Sequence, residues 1–143
     1  MIREILFRGF HEDENGSTTI YVYGVNVKGE WIYGYYCLNA IRKTYITTVD
    51  GDMYVVIPAT VGEYTGLYGE DGKRIFEGDK CIVTMFDYEG LDWQYSCEVS
   101  YDEGGFFAGN DTDVRIPLQE IGDTQADVTV TGTIFDKEVE KCD

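Results

Sequence analysis

Short runs of β-branched and aromatic residues cut by glycine-containing turns make up much of this chain, and in some of them apolar and polar positions alternate with a period of two. The clearest run is 93–101. Trp93, Tyr95, Cys97, Val99 and Tyr101 fall on one face, and Gln94, Ser96, Glu98 and Ser100 on the other. A half-buried antiparallel strand needs that pattern. Further strands are predicted over 2–8, 18–23 (continuing through Val25-Asn26-Val27 with a bulge at Gly24), 31–38, 81–86, 106–108 and 128–135. Segments 45–49 and 53–57 flank Asp50-Gly51-Asp52 and predict a hairpin. Lys28-Gly29-Glu30 is expected as a turn, 11–16 as a polar loop, and Pro58 as a boundary, because proline cannot donate to a ladder. Only 116–121 suggests helix, as a single turn ending near Gly122.

The most punctuated stretch is 61–80, which holds five of the seventeen glycines. Asp71-Gly72 predicts a type I′ turn, and Glu77-Gly78-Asp79 a second turn. Backbone geometry explains such residues without chemistry. Asp79 is therefore read as a turn carboxylate rather than a catalytic acid. Many short strands and almost no helical period predict an all-β protein with two small β subdomains, 1–60 and 61–143. In the second, strands 81–86, 93–101, 106–108 and 128–135 make a meander the size of an SH3-like barrel. It closes if the last strand lies near the first.

The same stretch carries a family resemblance. Val61-Gly62-Glu63-Tyr64-Thr65-Gly66-Leu67, followed by Asp71-Gly72-Lys73-Arg74-Ile75-Phe76-Glu77-Gly78-Asp79, resembles the signature of the YopX family. The opening Arg3-Glu4-Ile5-Leu6-Phe7-Arg8-Gly9 and the close Val130-Thr131-Gly132-Thr133-Ile134-Phe135-Asp136 resemble that family's ends. Glu63 stands where the family usually has Gln, and Thr133 where it has Asn. Tyr68-Gly69-Glu70 varies the turn. The resemblance implies an all-β protein of phage or prophage type with a part similar to an SH3-like barrel. It implies no catalytic residues, because the family defines none.

Composition narrows the picture. Hydrophobic residues make up 43% of the 143, enough for a packed core. The charge is uneven. Residues 1–60 hold seven acids and five bases, a net of −2, and residues 61–143 hold twenty acids and six bases, a net of −14. Such a surface repels nucleic-acid phosphate and anionic membranes. It suits a basic partner protein, host or phage, or serves solubility alone. The four cysteines Cys37, Cys81, Cys97 and Cys142 are scattered, so neither metal-ligand nor redox-pair spacing is present. Met1-Ile2-Arg3-Glu4 lacks the apolar run of a signal peptide, and no stretch approaches the ~20 apolar residues of a membrane span. A cytoplasmic protein with free thiols is expected.

Candidate chemistry is sparse. His11, the sole histidine, sits beside Glu12, Asp13 and Glu14, and is read as a solvated loop residue. Asp87, Glu89 and Asp92, and the pair Asp111 and Asp113, offer oxygen ligands to a hard cation but lack a calcium-loop pattern. Tyr64, Tyr68, Trp93 and Tyr101 are candidates for lining a peptide groove, with core packing the commoner role. No catalytic, cofactor or metal residues are assigned. The expected function is a non-enzymatic, cytoplasmic protein-binding module. The alternatives are an acidic DNA mimic that inhibits a nucleic-acid-binding protein, and a metal-dependent hydrolase using the acidic loops. Exposed strand edges and aromatics also fit a homo-oligomer.

Overall fold

A computed structural model describes residues 6–38, 43–86, 92–102, 105–110, 115–118 and 126–136. The described residues form twelve β-strands in two antiparallel sheets, so the all-β class holds. No helix among them is long and apolar enough to cross a membrane. The chain divides into two compact units. Of the described residues, the first unit contains those from Leu6 to Glu63 together with Phe135 and Asp136, and the second those within Tyr64–Ile134.

The first unit is built on β3 (Val25–Leu38), a strand of 14 residues. It pairs with β1 (Phe7–Glu12), β2 (Thr18–Val22) and β4 (Thr44–Thr47), and β4 pairs with β5 (Met53–Val55). Four expectations change here. First, β1 takes in His11 and Glu12, which were placed in a loop; residues 2–5 of the expected strand lie outside the described residues. Second, Tyr23-Gly24 is no bulge: both φ angles are positive, 52° and 79°, and Val22 faces Val25 across a two-residue hairpin loop. That is type I′ geometry. Third, Lys28-Gly29-Glu30 is no turn, because Gly29 sits mid-strand between Glu12 and Thr18. Glycine is needed there to let the three backbones approach, not to bend the chain.

Fourth, Pro58 does not end a strand. It lies within β6 (Ile57–Tyr68), which pairs with β1 across a register shift between Arg8 and Phe10. At that shift the Thr60 hydroxyl accepts the Phe10 N–H at 2.9 Å and donates to the Ile57 carbonyl at 2.6 Å. A side chain thus supplies the bonding that a regular ladder would give. The core of this unit gathers Phe10, Ile20 and Val22, with Val27, Trp31, Ile57 and Phe135 against them.

The second unit holds β7 (Arg74–Phe76) and a sheet ordered β11-β10-β9-β8-β12, made of β8 (Asp79–Phe86), β9 (Asp92–Asp102), β10 (Gly105–Gly109), β11 (Arg115–Pro117) and β12 (Ala126–Thr133). The last strand lies beside the first of the meander: β12 pairs with β8. Among the described residues no ladder joins β11 to β12. The alternation of 93–101 is realised at its centre, while Trp93 and Tyr101 at the ends of the apolar face are 48% and 50% exposed. Cys97 and Val99 are buried with Cys81, Val83, Ala108 and Val128, whereas Gln94, Ser96, Glu98 and Ser100 are exposed. Of the helical turn expected over 116–121, Ile116 and Pro117 are strand instead, with Ile116 paired to Ala108, whereas Leu118 is helical and buried in the core. Residues 119–122 lie outside the described set.

The stretch 61–80 acts as a clamp. Its first part is strand, the second half of β6, with Gly66 at a register shift against β7. The turn at 69–73 is not type I′, since Gly72 has a positive φ (83°) and Asp71 does not. Gly72 N–H donates to Gly69 C=O, and Gly69 N–H to Lys73 C=O. This is a type I turn closed by a left-handed glycine. Glu70 N–H then donates to Val128 C=O on β12. At the next turn Gly78 N–H donates to Val99 C=O and Gly78 C=O accepts from Ile134 N–H. Asp79 is 1% exposed, and its Oδ2 accepts the Phe76 N–H at 2.7 Å. The signature residues tie β7, β9 and β12 together through backbone bonds.

Candidate functional site

The four aromatics considered as a groove do not converge. Tyr64 is buried, packed against Tyr68 and Phe76 with the Arg74 guanidinium 5.6 Å from its ring. Trp93 and Tyr101 lie eight residues apart on β9, roughly 27 Å at ~3.4 Å per residue. Tyr101 stacks edge-on against Phe106. His11 has a structural place. Its ring meets Tyr54 at 5.3 Å, and Nδ1 lies 2.7 Å from the Val55 carbonyl oxygen. A carbonyl only accepts, so Nδ1 carries the proton. The loop acids Asp87, Glu89, Asp111 and Asp113 lie outside the described residues, as does the Asp92 side chain. Among the described residues, no three of His, Cys, Asp and Glu come together to hold a metal ion.

What the fold brings together instead is one face of β3, β4 and β5. Register places Tyr35, Thr47 and Met53 in one cross-strand row, and Cys37, Tyr45 and Val55 in the next. Tyr33 precedes Tyr35 on the same face, by the two-residue period of a strand. None of these seven residues is charged, in a chain of which 27% is charged. Tyr33, Tyr35, Met53 and Val55 are 47%, 60%, 57% and 43% exposed.

The reason this face is partly exposed lies along β3. Val27 and Trp31, of the same parity, pack into the core with Phe10, Ile57 and Phe135. Arg8, opposite Tyr33, is buried with its guanidinium 4.9 Å from the Trp31 ring. Beyond that point the apolar stripe continues but its cover does not. The opposite face of the hairpin is committed: Ile46 and Thr44 are buried, Tyr54 meets His11, and Val56 fills the space over Gly9. Packing that side inward forces Tyr45, Met53 and Val55 outward, since neighbouring residues of a strand point to opposite faces. Aromatics stand on both faces of 31–38, and on the opposite face Tyr36 and Leu38 are themselves 43% and 56% exposed, so the sequence alone could not say which of them join an exposed row of the hairpin. The register of the 44–55 hairpin was the missing information.

The family model described as YopX protein matches residues 6–138. No curated protein and no solved structure matches this chain.

Proposed function

The chain belongs to the YopX family, and from that footing we propose that it is a non-enzymatic, cytoplasmic protein-binding module of phage or prophage type. The β3–β5 face is its docking surface. One observation carries the reading: seven uncharged positions share one face of a sheet, and four of them are 43–60% exposed large apolar residues. Exposed apolar patches of this kind rimmed by polar residues mark interaction sites. Tyrosine suits the role, with a large rigid contact area at little entropic cost. In this reading the second unit is an SH3-like barrel, supported by β12 lying beside β8. Its acidity keeps the protein soluble and disfavours acidic partners.

Site-specific crosslinking tests this. A benzophenone amino acid replaces Tyr35 in one variant and Ser96, an exposed polar position on β9, in another. Irradiation in a lysate of the source cells should give a discrete adduct from position 35 and none from 96. Adducts of equal yield at both positions, or none at 35, defeat the assignment of this face.

A further inference from the structure

We infer that the occupant of the β3–β5 face is an extended, arginine-bearing segment of a partner protein, rather than a second copy of this chain; this rests on the docking reading above. Area is the first argument. A fully covered aromatic side chain buries about 150–250 Å². Three partly exposed tyrosines with Met53 and Val55 therefore offer about 400–500 Å², well short of the ~800 Å² per partner that a stable interface between folded chains buries. Two copies would also bring together chains of −16 each. A short segment needs no more area than the face has.

Charge and spacing select arginine. The Thr47–Met53 row runs directly into the hairpin turn that carries Asp50 and Asp52, both exposed. One end of the uncharged face thus has a rim of two carboxylates. Tyrosine rings attract cations through their faces, and arginine pairs planar stacking with bidentate hydrogen bonds to carboxylate. The chain itself uses this contact. Arg8 lies 4.9 Å from the Trp31 ring and Arg115 lies 4.1 Å from the Phe107 ring. Tyr33 and Tyr35 are two strand residues apart, ~6.8 Å, the same repeat as alternate residues of an extended peptide. Arginines at alternate positions of such a segment match the tyrosines in step.

The test uses the full chain labelled at its methionine methyl groups, titrated with a capped octapeptide of alternating arginine and threonine. Met53 lies on the face, and Met85 lies on β8 of the other unit as an internal control. The expected result is a saturable shift of the Met53 signal with Met85 unmoved. The lysine counterpart should bind several-fold more weakly and the glutamate counterpart not at all. Tyr35→Ser should weaken binding about tenfold, and Tyr33→Ser should act in the same direction. Asp50→Asn with Asp52→Asn should weaken it at low salt only. Equal lysine and arginine binding that disappears in 0.5 M salt means diffuse attraction to an acidic chain and overturns the proposal. So does a Met53 signal that moves with protein concentration alone, which assigns the face to a second copy. A discrete adduct at position 35 together with an unmoved Met53 in the peptide titration keeps the docking surface and removes the arginine segment.

Discussion

At Gly29 an added Cβ would stand 1.9 Å from the His11 carbonyl oxygen, whereas at Gly51 it would meet nothing within 4 Å. Gly51 instead has a left-handed φ of 89°. The two glycines are thus required for different reasons, and alanine should reveal it. Gly51→Ala should cost about 1–2 kcal/mol, the penalty of a left-handed L-residue. Gly29→Ala must separate paired strands and should cost about 3 kcal/mol or more. Denaturant unfolding of the two variants checks the order, and equal losses contradict it. The cysteines give a second residue-scale prediction. Burial, reinforced by Cys97 and Asp79 nearby, pushes the Cys81 thiol up to about 12 from 9.0, and burial raises Cys97 as well. The folded state therefore keeps protons that the unfolded chain releases. Stability from this source is complete below pH 9 and falls as pH climbs towards 12. Melting temperature should decline over that window, less steeply in Cys81→Ala. At pH 8 mass spectrometry should find half-buried Cys37 alkylated well before Cys81 and Cys97.

Strand pattern and strand partner were unequally legible. The alternation of 93–101 could be read directly, because one face is core and the other is solvent. β6 could not, since Pro58 and the glycines of 61–69 read as breaks. The strand survives because Thr60 and the bulges absorb the irregularities. The clearest case is Phe135. It lies seventy-two residues after Glu63 in sequence, yet it returns to the first unit: its carbonyl accepts the Tyr21 N–H at 2.7 Å and its ring lies 6.2 Å from Trp31. In a Trp93→Phe background, Phe135→Ala should shift the emission of Trp31 and destabilise the first unit by about 1–3 kcal/mol, as loss of a half-buried ring does. Unchanged Trp31 emission would mean that the contact is not formed in solution.

On the scale of the whole molecule, charge dominates. A net of −14 over residues 61–143 repels itself, and the ion pairs Arg115–Asp102 at 3.2 Å and Lys73–Asp71 at 3.8 Å are exposed and contribute little. Raising sodium chloride from 20 to 500 mM screens the repulsion over a shorter distance. The melting temperature should therefore rise by a few degrees, and calorimetry at the two salt concentrations checks it. A fall would show that attractive ion pairs outweigh the repulsion.

Local chemistry set a good part of this protein in advance. Short β-branched and aromatic runs without helical period made it all-β, glycine and aspartate marked where the chain turns, and the excess of acids settled which part carries the charge. Each of these depends on a residue and its near neighbours, so the order of residues suffices. Turn type, the passage of a strand through proline and the choice of face left open depend on partners far along the chain. Tyr35 looks like Trp31 in sequence, with the same parity on the same strand. Only the point at which Phe10, Ile57 and Phe135 cease to cover β3 makes one of them core and the other a surface for contact.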